Sequence, residues 1–416
     1  MQSKNLTTTI LLAMLFGGIL GSVLNIFFME VPFIRTILID NIFYVIGQIF
    51  IDLLKMLVVP LVFISLVCGT TSLGDINKLG RLGGKALLFY ILTTALAITL
   101  ALGLAVTIAP GEGFNQKSVE TAEFIAKESP SLAQTIINMI PNNPIESMAN
   151  GDMLPLIVFS ILFGIAIVMA GESGKRIEKH FNDYNAIMMQ MVNILMKLAP
   201  LGIFCLIAKT FALQGVDLIK PLLGYFMVVV TALLLHGLIS YSILLKVLSG
   251  LSVRKFISKM RRVQIFAFST ASSNVTIPVN IENTTTILGV DNSVASFTIP
   301  LGATINMDGT AIMQGVATVF IANVYGIDLT MSDYLMVILT ATLASIGTAG
   351  VPGVGLIMLA MVLDQVGLPV EGIALIIGVD RLLDMMRTAV NVTGDAAATV
   401  IIAKSENGLN KEVYNS

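Results

Sequence analysis

The chain has 416 residues, of which 56% are hydrophobic and only 12% charged, with a formal net charge of −2. Soluble domains carry about 25% charged residues, so the composition excludes an ordinary soluble globule and reads as an integral membrane protein. The charge balance gives no case for nucleic-acid binding, and the two cysteines, Cys68 and Cys205, sit in separate apolar segments as packed thiols, without a C-x-x-C pair.

In chain order, apolar segments long enough to span a bilayer core of about 30 Å run near 9–28, 41–68, 86–109, 153–170, 186–212 and 221–249. No small-residue cleavage site follows the first, which therefore reads as a retained span rather than a signal peptide. The polar region 110–150, with Pro130, Pro141 and Pro144, reads as an external loop leading into a broken helix. His180 and His236 are too far apart in sequence to point to a metal cluster, and His236, interrupting the apolar run 227–245, reads as a packing residue. Basic residues gather at Lys78, Arg81 and Lys85, at Lys175, Arg176 and Lys179, and from Lys246 through Arg254, Lys255, Lys259, Arg261 and Arg262. Lys404 and Lys411 follow in the tail. Counting spans puts all these clusters on one side with Lys4, and the positive-inside rule makes that side the cytoplasm, with both termini there.

After Arg262 the pattern changes. Hydrophobic runs become short and are interrupted by small polar residues, as in FAFSTASSNVTIP (266–278), before a longer run from Ala295 that contains INMDGT (305–310). The order then recurs: LASIGTAGVPGVG (343–355) precedes the stretch DRLLDMMRTAVNVTGD (380–395). At roughly 100° per residue, Asp380, Asp384, Arg387, Asn391 and Asp395 share an arc of about 80° on one helix face, over a length of ~22 Å. Broken backbone at membrane depth is tolerated only where protein buries it or it lines a cavity. Two copies of an interrupted hairpin followed by a polar-centred helix fit an inverted repeat, and paired broken segments point to a midplane substrate site in a secondary transporter.

SSNVTIP, NMDGT, ASIGTAGVPG and DMMRTAVNVTGD, in this order, resemble the signature motifs of the glutamate/aspartate transporter homologues, the dicarboxylate/amino acid:cation symporters related to excitatory amino acid transporters. The resemblance covers nearly the whole chain. It implies an all-α membrane protein of eight transmembrane helices and two re-entrant helical hairpins, assembled as a homotrimer and working as an elevator. It further implies a scaffold from 1–77 (helices 1 and 2) and 111–215 (helices 4 and 5, with the trimer contacts). The transport domain is then 78–110 (helix 3) and 216–416, with hairpins at about 253–287 and 331–366. The expected setting is the inner cell membrane, with lipid around the trimer.

The acidic helix admits two readings. As a packing helix, Asp384 pairs with Arg387 at i,i+3, and Asp380 and Asp384 share Arg381. As a binding helix, Arg387 offers a planar fork to a ligand carboxylate, Asp384 holds an α-ammonium, Thr388 and Asn391 give neutral hydrogen bonds, and Asp395 is left for a cation. Each charge at a helix centre costs about 2.5–3.5 kcal/mol to insert, and three aspartates beside one arginine exceed neutralisation, which favours binding. The resemblance implies the same roles. In NMDGT, Asn306 and Asp308 are hard oxygen ligands that suit sodium, with Gly309 expected to let the helix unwind. The resemblance matches Tyr90, Thr93, Thr94, Asn306 and Asp308 to one sodium site. It matches Gly302, Asn306, Asn391 and Asp395 to a second, and Thr304, Met307, Ser345, Ile346 and Thr348 to a third. It also matches Ser273, Val351, Gly355 and Thr310 to substrate contacts. Broken-helix N-termini suit an anionic substrate. In one departure, relatives carry an arginine where this chain has Ala271 or Met385, and here the additional arginine is Arg381.

The expected activity is symport of aspartate or glutamate with co-transported sodium, with no enzymatic step. Proton-coupled glutamate transport is the near alternative. A C4-dicarboxylate would leave Asp384 without an ammonium, and a neutral amino acid would leave Arg387 without a carboxylate. The chain lacks the G-x-G-D signature of an intramembrane aspartyl protease, and an ion channel is the remaining alternative of another class.

Overall fold

The computed structural model describes residues 2–29, 31–71, 79–113, 137, 140–215, 219–346, 348, 350 and 352–416. All regular elements among these residues are helical. They are α1 (Gln2–Phe27), a π-helical entry Ile34–Phe43 into α2 (Tyr44–Thr71), α3 (Leu79–Ile108), α4 (Pro144–Asn150), α5 (Met153–Met169), α6 (Glu172–Gln214) and α7 (Ile219–Leu235). A second π segment, His236–Ser240, joins α7 to α8 (Tyr241–Ser249). Then come α9 (Val253–Thr270), α10 (Ser273–Thr286), α11 (Asn292–Ile305), α12 (Asp308–Tyr325), α13 (Met331–Ser345), α14 (Val354–Gln365), α15 (Ile373–Ser405) and α16 (Lys411–Asn415).

Among the described residues, four stretches are long and apolar enough to cross a membrane: Thr8–Phe27, Ile34–Leu53, Leu82–Ile108 and Ile219–Ser249. A fifth, Glu172–Leu195 with Lys197–Leu213, is bent by 44°. The bend has a chemical cause: Pro200 lies inside α6 and leaves the carbonyl four residues back without its N–H partner. The second span begins at Ile34 rather than near 41, because the polar Asn41 is absorbed by the π segment, its amide donating to the Thr36 carbonyl at 2.6 Å.

The helices gather into two neighbourhoods. In one, α1 and α2 lie along α6 and α5 packs on α2. Phe63, Phe159, Phe163 and Phe181 meet there ring to ring. In the other, α3 lies against α12, and α15 is surrounded by α7 to α12.

Three breaks shape the second neighbourhood. α9 stops at Ala271, whose φ of +49° is left-handed, and Ser272 restarts the chain by accepting the Val275 N–H as N-cap of α10. Residues 346–353 separate α13 from α14, with Gly353 at φ +85° allowing the reversal. α11 and α12 part at Asn306 and Met307, where Asn306 is extended (φ −91°, ψ 94°). This corrects the expectation placed on Gly309, which is helical; a Cβ there would come within 2.7 Å of the Arg387 carbonyl, so this glycine serves close packing instead. α15 runs unbroken for 33 residues through the polar stripe.

Candidate functional site

All five stripe residues of α15 are buried. Arg387 Nη1 donates to Asp380 Oδ1 at 2.6 Å and Nη2 to Asp384 Oδ1 at 2.9 Å. Asp384 Oδ2 also accepts the Gly353 N–H at 3.2 Å and lies 3.6 Å from Arg381 Nη1. The arrangement is that of the packing reading in part: the Arg387 fork rests on two aspartates of its own helix, and Asp380 pairs with Arg387, not with the expected Arg381. Arg387 Nε has no partner among the described residues. A cavity of about 30 Å³, room for about one water, opens beside Asp380, Arg381 and Asp384, between α15 and the apolar residues Ile10, Phe50 and Ile203.

The helix breaks close over this fork. A Cβ at Gly355 would lie 3.2 Å from Arg387 Nη2 and 3.4 Å from both Met313 and Thr310, so Gly355, Thr310 and Arg387 border one space. The Gly350 carbonyl accepts from Ser272 Oγ at 2.7 Å and from the Asn274 N–H at 3.1 Å. The two breaks thus meet tip to tip, with Ser273 against Gly350. Thr388 turns its hydroxyl back to the Asp384 carbonyl at 2.8 Å. Val351 lies outside the described residues.

One to two turns along α15 the polar groups change character. Asn306, extended at the α11–α12 break, donates Nδ2 to Asp395 Oδ1 (2.8 Å) and to the Asn391 carbonyl (2.9 Å). Its Oδ1 is buried without a partner among the described residues. Asn391 Oδ1 accepts the Gly309 N–H at 2.7 Å, so α12 begins against α15. A Cβ at Gly302 would strike the Asp395 carboxylate and the Tyr90 hydroxyl, which places Gly302, Tyr90 and Asp395 around one point. Asp308 Oδ1 accepts from Thr94 Oγ1 at 2.6 Å, and Thr93 donates to the Tyr90 carbonyl at 3.1 Å. Two carboxylates, an orphaned amide oxygen and several hydroxyls form a donor set of hard oxygens, which fits an alkali cation. No group of three His, Cys, Asp or Glu side chains converges among the described residues.

The third expected set is not drawn together by hydrogen bonds. Thr304 bonds to the Leu301 carbonyl, Ser345 to Thr342 and Thr348 to Ala344, each within its own helix end. Met307 meets Asn391 instead, Nδ2 to Sδ at 3.4 Å, and Ile346 caps α13.

Two residues at this centre escaped the sequence reading. His236 Nε2 lies 2.9 Å from Asp308 Oδ2, and the Tyr241 hydroxyl donates to the same oxygen at 2.7 Å. Both are buried. His236, expected as a packing residue, is thus a polar partner of Asp308.

The family model for the sodium:dicarboxylate symporter family matches residues 6–405. This chain belongs to the sodium:dicarboxylate symporter family. It is similar to the proton/sodium-glutamate symport protein of Geobacillus stearothermophilus, 38% identical over 95% of this chain and 94% of the relative. To the proton/glutamate-aspartate symporter of Escherichia coli (strain K12) it is 37% identical, over 98% and 94%. To the C4-dicarboxylate transport protein of Bacillus subtilis (strain 168) it is 32% identical, over 97% and 94%. This symporter is accordingly a membrane transporter and not an enzyme. The names of its relatives divide over both substrate and ion.

Proposed function

We propose that this symporter takes up an acidic amino acid, aspartate or glutamate, coupled to inward sodium movement. The observation that carries the reading is the buried Asn306 Oδ1, without a partner among the described residues, on a side chain whose Nδ2 bonds Asp395. A neutral amide oxygen beside two carboxylates is the kind of hard ligand an alkali cation takes; a protonated carboxyl could also donate to it, so ion dependence is the deciding measurement. Tyr90, Thr93, Thr94, Asn306 and Asp308 would hold one sodium, and Gly302, Asn306, Asn391 and Asp395 another. Thr304, Met307, Ser345, Ile346 and Thr348 are proposed for a third, formed through main-chain oxygens.

Substrate recognition falls to the other end of the stripe. In this reading a side-chain carboxylate shares the Arg387 fork with Asp380 and Asp384, and Asp384 takes the α-ammonium. Thr310, Thr388, Asn391, Ser273, Val351 and Gly355 border the ligand. Coupling needs no long pathway: the two groups of ligands share α15, and Asp384 and Asn391 lie ~10 Å apart along its axis. An ion that orders Asn306 and Asn391 therefore sets the start of α12, where Thr310 stands.

The finer architecture belongs to the same proposal: eight spans, two re-entrant hairpins (α9–α10 and α13–α14), a homotrimer in the inner membrane, and both termini in the cytoplasm. Purified protein in liposomes tests the function. Aspartate or glutamate should accumulate against its gradient under an inward sodium gradient, with a more than linear dependence on sodium and net positive charge moving inward. Full uptake in choline buffer driven by a pH gradient alone would establish proton coupling instead.

A further inference from the structure

His236 and Tyr241 are five residues apart. On an α-helix at about 100° per residue they would point about 140° away from each other, and both could not reach one atom. They do so because the chain between them is not α-helical. Residues His236–Ser240 form a π segment, and the Tyr241 N–H bonds to the His236 carbonyl, an i→i+5 bond. The wider turn stacks residue i over residue i+5, and the two rings lie 4.6 Å apart centre to centre. A π turn inside an α-helix is rare, and such turns recur at functional sites. Here its product is specific: two donors converge on Asp308 Oδ2, leaving Oδ1 toward Thr94.

We propose that His236 and Tyr241 are positioning residues that fix the Asp308 carboxylate with Oδ1 as its cation-facing oxygen, and that the π turn exists to place them. The claim rests on Asp308 being a cation ligand. A carboxylate on a short side chain can rotate about its last bond, and a ligand that rotates must be ordered again at each binding event. Two donors on one oxygen remove that freedom beforehand. Groups one step removed from a metal ion act in this way by orienting its ligands, and their loss typically costs 10- to 100-fold in affinity. His236 fills this role in the tautomer that carries the proton on Nε2, which a carboxylate acceptor requires. Its other ring nitrogen, Nδ1, has no partner among the described residues, so the ring's single polar bond is to Asp308. Tyr241 packs in the same pocket, so close to Gly394 that a Cβ there would strike its hydroxyl. The helix carrying Asp395 is thereby kept against the same centre.

The test measures sodium-dependent aspartate binding to the purified full-length protein carrying Tyr241→Phe, His236→Leu or His236→Gln. Tyr241→Phe removes one oxygen from an otherwise unchanged ring, so it keeps the test meaningful if His236→Leu fails to fold. The sodium concentration for half-maximal binding should rise roughly 10- to 100-fold in Tyr241→Phe and His236→Leu. The aspartate affinity at saturating sodium should stay near wild type. His236→Gln, which retains an N–H donor, should recover part of the loss. Unchanged sodium half-saturation in Tyr241→Phe, or aspartate affinity that falls equally at every sodium concentration, would overturn the positioning role. Absence of any sodium dependence in the wild-type protein would instead remove the proposed coupling ion, which separates the two failures.

Discussion

Arg387 is 1% exposed and gives two of its donors to Asp380 and Asp384, leaving Nε without a partner among the described residues; in the proposed reading a substrate carboxylate shares this fork with the aspartates. In that reading the site is selective because the ligand must bring both a carboxylate for the fork and an ammonium for Asp384. Truncating one partner of a buried charge pair costs about 2–5 kcal/mol. Arg387→Ser should therefore lower aspartate affinity by roughly two to three powers of ten while leaving sodium binding and admitting serine or alanine. Asp384→Asn should weaken every amino acid irrespective of side chain. Competition binding on both variants checks this; near-native aspartate affinity in Arg387→Ser would make the arginine a structural partner of the aspartates. The stripe itself was legible because α15 keeps the 3.6-residue period throughout. His236 was not, because its partner lies 72 residues away and its neighbour Tyr241 joins it only through a π turn, which α-helical arithmetic places on the opposite face.

The breaks were legible at the level of elements, from serine, glycine and proline interrupting apolar runs, but their positions were set by tertiary packing. Gly309 looked like the weak point of its helix; the chain opens instead at Asn306, whose side chain finds Asp395 and the Asn391 carbonyl once it is extended. The second hairpin is the candidate lid. Its tip carbonyl, at Gly350, is held by Ser272 and Asn274, its backbone at Gly353 by Asp384, and Val354 is 1% exposed. Each of these ties is a single hydrogen bond, worth about 0.5–1.5 kcal/mol net between neutral groups and about 1.5–3 to the Asp384 carboxylate, so opening is accessible and ligand can bias it. In a protein lacking Cys68 and Cys205, a cysteine at Val354 should react with a water-soluble thiol reagent. Sodium plus aspartate should slow it by about tenfold or more, the factor that ~1.4 kcal/mol of preference for the closed lid provides. Equal labelling rates with and without ligand would exclude a lid at this tip.

At the scale of the molecule, the contacts between the two helical neighbourhoods differ in kind from those within the site. Ile10 of α1, Phe50 of α2 and Ala199 and Ile203 of α6 face Leu356 and Ile377, and a Cβ at Gly378 would lie 3.0 Å from Ile207 Cδ1. Apolar contacts of this kind are non-directional, so one register can be exchanged for another without stranding a hydrogen bond. By contrast, the polar groups of α15 are bound to α9 to α12 and the hairpin tips, through Asn280 to the Val392 carbonyl and Gln264 to Thr393 as well as the ion centre. A body cross-tied inside, whose border carries these apolar contacts beside the Asp380, Arg381 and Asp384 cluster, is suited to moving as a unit. If transport moves α15 and its hairpins past α6, fixing the border should stop it without touching the site. Cysteines replacing Ile207 and Gly378, in the background free of Cys68 and Cys205, should cross-link on oxidation or with a bifunctional thiol reagent. The linked protein should still bind aspartate with sodium but no longer accumulate it in liposomes, and reduction should restore uptake. Continued uptake by the fully linked protein would show that the hairpins alone alternate access, across a border that stays fixed.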